Sequence, residues 1–290
     1  MSAATSSRLP PAPGIAAASE ATVIERRAVG VGLPAKDACS SAAFAGKPAP
    51  TGPAPTGPAP TVSGLLPLVR LLQLASPTLP VGAYTYSQGL EWAVESGAVR
   101  NESDAAAWIG GLLEWSLARF EAPLLAGQLV AWAEGEDGEV ARLNADFLAS
   151  RETSELRAET VQMGWSLVKL LAELEAFASI PGWRVRLLAI DTPCFPTVWS
   201  AAAAAWQVPP DQALAAYLWA WAENQVMAAV KAVPLGQSAG QRLLAGLGER
   251  IPALVEFALR LPEARWSNYT PGLAIASSRH ETQYTRLFRS

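Results

Sequence analysis

The sequence predicts an all-α fold, a single-domain helical bundle preceded by a disordered Ala/Pro-rich tail, and three observations carry that prediction. Between Glu152 and Phe177 the residues Leu156, Thr160, Met163, Leu167, Leu170, Leu171 and Leu174 recur every three or four positions with charges between them, the period of one helical face. Apolar–polar alternation is nearly absent, and only Trp183 to Ala189 could pass for a short strand. Half of the 290 residues are hydrophobic, enough for a sizeable core.

Residues 1–62 are dominated by Ala, Pro, Ser, Thr and Gly, and Thr-Gly-Pro-Ala-Pro at 51–55 is repeated at 56–60. Proline removes backbone donors and glycine raises the cost of ordering, so this extension is expected to be disordered or polyproline-like, with the folded domain spanning 63–290. The first helix is expected at Leu65, Leu68, Leu71 and Leu72, ending at Ser76-Pro77. A second is expected over 87–96, with Ser87 as N-cap and Gly97 beyond its end. A third should run from Ser103 to Phe120, with Trp108, Leu112 and Trp115 on one face, until Pro123 kinks or splits it. The long helix over 152–177 follows, ended by Pro181-Gly182. Next come a helix through Ala201–Trp206 and one that opens at Pro210, whose ring suits a first helical turn. Shorter helices are expected at 238–247 and 251–261. Most of the eleven tryptophans sit at core spacing and are assigned to packing.

Composition excludes several function classes. A net charge of −4 and a pI of about 5.2 give no electrostatic basis for binding nucleic acid. Cys39 and Cys194 form neither a disulfide framework nor a CxxC pair, which suits a reducing, cytoplasmic setting. With His280 the one histidine, clustered imidazoles are unavailable, and no metal site or cofactor is assigned. Neither a phosphate-binding glycine loop nor a G-x-S-x-G elbow occurs, so the chain is not expected to be an enzyme. Arg26-Arg27 precedes too short an apolar run for an export signal, and Pro209-Pro210-Asp211 interrupts the apolar stretch from Val198 to Val230, so no membrane span is expected. Glu152, Glu155 and Glu159, with Arg151 and Arg157 among them, read as a solvated helix face, and Cys194 reads as a small packed residue.

Two segments fit a partner-binding surface better than ordinary packing. Ser76 to Trp92 sets polar aromatics on a Gly-containing turn before a helix, and Ser277 to Ser290 mixes arginines with Tyr284, Leu287 and Phe288, residue types that anchor interfaces. The tail is expected to be disordered until it meets a partner.

At these segments the chain resembles the UreF family of urease accessory proteins. The resemblance rests on Pro80-Val-Gly-Ala-Tyr-Thr-Tyr-Ser-Gln-Gly-Leu-Glu91, on Pro234-Leu-Gly-Gln-Ser-Ala-Gly-Gln241 and on His280-Glu-Thr-Gln-Tyr-Thr-Arg-Leu-Phe-Arg-Ser290, in the family's order, and it extends from about Leu65 to Ser290. It implies an all-α homodimer that binds the accessory protein UreD (also called UreH) and recruits or regulates the GTPase UreG on apo-urease (UreABC). The nickel and the GTP then belong to the partners. It further implies partner contacts within 271–290, through Arg279, His280, Glu281 and Tyr284 and with Arg286, Leu287, Phe288 and Arg289 as anchors. Tyr84, Tyr86, Gln88 and Glu91 are expected to adjoin them, with Lys231 and Gln237 on the GTPase side. Two rival readings are a nickel-binding metallochaperone using His280 and Cys194, and a helical scaffold unrelated to urease.

Overall fold

A computed structural model describes residues 65–290. The extension expected over 1–62, and Cys39 within it, lie outside the described residues. Among the described residues there is no strand.

Helix α1 (Leu65–Ala75) leads through the Pro-rich turn and a single 3-10 turn (Ala83–Thr85) to α2 (Leu90–Glu95). The latter starts three residues later than expected, because Gln88 and Gly89 both adopt positive φ, at 51° and 77°. Helix α3 (Glu102–Leu112) is capped by Asn101, whose side chain accepts the Asp104 N–H at 3.0 Å. It runs on without a break through a π-helical stretch, Leu113–Glu121, into α4 (Ala122–Glu134). Pro123 was expected to kink or split this rod. The wider π turns instead carry the chain past it, and the carbonyl of Arg119, four residues before the proline, accepts the Ser267 N–H at 3.1 Å.

Next come α5 (Asp137–Ala149), α6 (Ser154–Glu173) with Thr153 as N-cap, and the short α7 (Glu175–Ala178) and α8 (Trp183–Leu188). The run that could pass for a strand is therefore helical. Trp183 and Leu187 face inward together, and the Arg186 guanidinium lies 5.1 Å from the Trp183 ring, neighbours that i,i+3 and i,i+4 spacing provides. Helix α9 (Phe195–Ala205) precedes α10 (Pro210–Ala232), which begins at the expected proline. The two short helices expected after it are one, α11 (Gln237–Arg260). Pro252 lies inside it, and the buried line Leu243, Leu247, Ile251, Val255, Ala258 passes the proline unbroken. A 3-10 turn at Glu263–Arg265 leads to α12 (Pro271–His280).

Helix α10 is the centre of the bundle, packing on α1, α2, α4 and α11, while α9 lies between α4 and α6. Trp132, Trp199, Phe177, Leu113, Leu125, Leu167 and Leu171 fill the main core. A smaller cluster of Leu124, Leu143, Phe147 and Cys194 gives that cysteine the packing role expected of it. Most tryptophans pack as their spacing implied: Trp132, Trp199 and Trp206 are buried and Trp108, Trp183, Trp221 and Trp266 lie against the two clusters, whereas Trp115, Trp165 and Trp219 are exposed. Two glycines set helix approaches. A Cβ on Gly164 would lie 2.0 Å from the Pro193 carbonyl oxygen, and one on Gly89 would meet Ala276 of α12 at 3.0 Å. Within the described residues no helix is long and apolar enough to cross a membrane.

Candidate partner-binding site

The motif after α1 and the C-terminal tail form one structure. Because Gly89 lets α12 lie directly against α2, residues 281–290 emerge beside Thr85 to Glu91. The expectation of a tail disordered without a partner is not what the chain adopts: the tail is docked on its own domain. Buried polar groups require partners, and here three glutamates supply them.

Glu91, on α2, is buried and accepts the Leu287 N–H at 2.6 Å and the Phe288 N–H at 3.0 Å. Its Oε2 also lies 3.2 Å from His280 Nε2. Glu155, in the first turn of α6, places Oε2 2.6 Å from His280 Nδ1 and accepts from Arg286 Nη1 at 2.6 Å. His280 is fully enclosed, with a glutamate oxygen beside each ring nitrogen. One turn further along α6, Glu159 accepts from Gln88 Nε2 at 2.6 Å and from Ser290 Oγ at 2.7 Å. Main-chain bonds complete the dock. The Arg289 N–H donates to the Thr85 carbonyl at 2.8 Å, and the main-chain oxygen of Ser290 accepts from Ser87 N at 2.8 Å and Ser87 Oγ at 2.5 Å.

The structure divides the expected site residues into a brace and a display. Tyr86, Glu91, His280 and Phe288 are buried, and Gln88 and Glu281 are half-buried. Tyr86 donates to Gln162 Oε1 at 2.9 Å, Gln88 Oε1 accepts from Trp221 Nε1 at 2.7 Å, and Glu281 takes the Ser154 N–H at the start of α6 at 2.8 Å. Tyr84, Lys231, Arg279, Tyr284, Arg286, Leu287 and Arg289 are exposed. Lys231 Nζ stands 5.7 Å from the Phe288 ring and 6.0 Å from that of Tyr84, joining the end of α10 to the same face. Gln237 is exposed at the start of α11, and no hydrogen bond or ion pair among the described residues joins it to the tail.

Sequence reasoning missed Glu155, Glu159 and Ser87 as parts of this site. The α6 carboxylates were assigned to a solvated face; Glu159 is instead buried and Glu155 largely so. The usable signal was Glu155, Glu159 and Gln162 at i, i+4, i+7, a polar stripe bordering an apolar one.

Behind Gln88 and Glu159 lies a cavity of about 90 Å³, lined also by Tyr217, Glu223 and the buried ion pair of Arg151 with Glu121, at 2.9 Å. Burial pushes the Glu159 carboxyl up to about 7, against the opposing pull of the Ser290 and Gln88 hydrogen bonds and the Arg151 charge. Burial likewise raises the phenols of Tyr217 and Tyr86. No group of three His, Cys, Asp or Glu side chains among the described residues is arranged to hold a metal ion. His280 and Cys194, the pair named for the metallochaperone reading, are both fully buried and lie in separate surroundings.

Fold and site together define an all-helical protein that carries a surface of exposed basic and aromatic side chains on a buried, hydrogen-bonded brace. Comparison with known proteins agrees with that class. The UreF family model matches residues 99–248. A urease accessory protein UreF of Azoarcus sp. (strain BH72) is 80% identical over 227 residues, covering 78% of this chain and 97% of that protein. Those of Dechloromonas aromatica (strain RCB) and Methylobacillus flagellatus are 59% identical over 230 residues and 49% over 223, with 98% and 97% of each relative covered. The chain belongs to the UreF family of urease accessory proteins.

Proposed function

We infer that the chain serves urease maturation as a non-catalytic cytoplasmic adaptor: as a homodimer it binds UreD, brings UreG to the apo-urease, and so places nickel insertion in one assembly. The observation that carries this reading is the division of labour in the tail. Leu287 and Phe288 have their backbone donors fixed by Glu91, yet the Leu287 side chain is 70% exposed and Tyr284 fully so. A large apolar side chain held rigid and left in water suits capture by a partner, because the ordering cost is met before binding. Arg289 and Lys231 are exposed on this segment and at the neighbouring end of α10, while Arg286 is paired with Glu155, and their positive charge favours a partner face bearing carboxylates. The domain at work is 63–290, with 271–290 as its binding tail and Tyr84 as a neighbouring contact. Nucleotide chemistry and the metal reside in the partners, and the gain comes from positioning them.

Light scattering after size exclusion, on the chain alone and co-expressed with UreD, tests this. A stable complex is expected for the wild type and is expected to be lost both in L287D and in a chain ending at Thr270. Complex formation by both variants, or by neither variant nor wild type, would refute the adaptor role.

A further inference from the structure

Glu159 is an unusual buried carboxyl. It is sealed on one side by Ser290 and on the other opens to the cavity shared with Glu121, Arg151 and Tyr217. Arg151, the cation that acts on it, is already committed to Glu121 at 2.9 Å. Its two direct partners, Gln88 and Ser290, are neutral donors. A buried carboxylate without an ion pair is costly, and lifting Ser290, which is held by Ser87 and by Glu159 itself, would open this one to water.

We propose that the tail is a proton-controlled latch: the docked state, with Ser290 seated over Glu159, holds a proton that the undocked state releases, so that rising pH loosens the partner-binding tail. The charged and titratable groups around Glu159 are Arg151 before α6, Glu121 on the π stretch, Tyr217 and Glu223 on α10, and Tyr86 in the motif, on which Arg289 of the tail acts in turn. One turn away, Glu155 holds His280 and Arg286, and Glu91 holds His280. Burial raises the docked-state carboxyl to about 7. Undocking exposes it to water and returns it to the ordinary carboxylate range. The docked state is therefore favoured most below that range, loses its advantage progressively as pH rises toward 7, and changes little above it. The importance of this latch to function rests on reading the tail as the partner-binding segment; the latch itself is a property of the chain alone.

Hydrogen exchange of the whole chain, corrected for intrinsic rates, tests the latch without a partner. Protection of the Leu287, Phe288 and Arg289 amides, taken relative to Ala201 in α9, is expected to fall about twentyfold between pH 5.5 and 7.5 and then to level off. E159Q should lose that fall, leaving only the part that other groups contribute. S290A removes a hydrogen bond that favours the charged form, and should move the fall to higher pH. Tail protection that does not change with pH in the wild type, or falls equally in E159Q, overturns the latch, as does an S290A profile that coincides with the wild type. None of these outcomes bears on whether UreD binds, which co-elution decides separately.

Discussion

Replacing Glu91 by alanine removes the one side chain that satisfies both main-chain donors of the tail anchor. In E91A the Leu287 and Phe288 N–H groups and His280 Nε2 lose their acceptor within a buried site. Hydrogen bonds to a charged group contribute about 1.5–3 kcal/mol each, so the two main-chain bonds alone amount to about 3–6 kcal/mol. Water entering the vacated space offsets part of this, which places the expected loss at about 3 kcal/mol. At a urea dependence of about 2–3 kcal/mol/M, the unfolding midpoint should drop by about 1 M. The global loss has an upper limit, because a tail that detaches as a unit can cost no more than its own docking free energy. Hydrogen exchange at Arg289 and Ser87 separates that case from general loosening, since the amides of both are bonded across the same dock. E91Q, which keeps the volume and one acceptor, should lie between wild type and E91A. A midpoint shift of less than about 0.3 M, with tail amides still protected, would mean that these bonds do not hold the tail, and the reasoning would fail.

Glu159 should give stability a pH dependence of definite sign. Its folded value of about 7 lies above the ordinary 4.5, so its contribution is fully present below 4.5 and lost as pH rises through 7. At 1.36 kcal/mol per unit that interval corresponds to about 3 kcal/mol, and E159Q should gain that much on wild type between pH 4.5 and 8, read from urea midpoints at the two values. Gly164→Ala would force a methyl group against the Pro193 carbonyl, and an overpacking cost of about 1–3 kcal/mol should outweigh the helix-propensity gain of about 1 kcal/mol. A thermal melt higher than wild type would contradict this. Cys194 is fully buried with its thiol pushed up to about 11, so in a C39S chain it should resist a thiol reagent at pH 8 until denaturant is added; rapid labelling of the native protein would show the smaller cluster to be open.

The fold was legible where one physical rule acts locally. Helix α6 is amphipathic with a 3.6 period, and α10 starts at a proline that suits a first turn, so both could be placed from sequence. Errors arose where two rules compete. Trp183 to Ala189 alternates like a strand, but no partner strand exists for it among the described residues, and the same residues also satisfy i,i+4 pairing. Pro123 read as a kink or split and 248–250 as a gap between two helices, yet a π stretch before the first, and a buried apolar line through the second, keep each helix continuous. The site was legible as two segments with interface composition. Their union was not, because Glu91 binds a residue 196 positions away and nothing in a single sequence encodes that pairing.

That long-range pairing changes what the composition of the tail means. Arginines beside Leu-Phe suggested a segment that takes shape on its partner, whose affinity would be reduced by the cost of ordering. Docked on Glu91, Glu155 and Glu159, the same residues separate by role. Phe288 and His280 are spent inside the protein, Arg286 is paired with Glu155, and Tyr284, Leu287 and Arg289 remain available outside it. Two variants at adjacent positions should therefore fail differently. F288A removes a buried ring and should lower stability and tail protection together, weakening partner capture as a consequence. L287D leaves the backbone bonds to Glu91 in place and should abolish capture while stability stays within about 0.5 kcal/mol of wild type. If L287D instead undocks the tail, the display is part of the brace and the separation of roles argued from exposure is wrong.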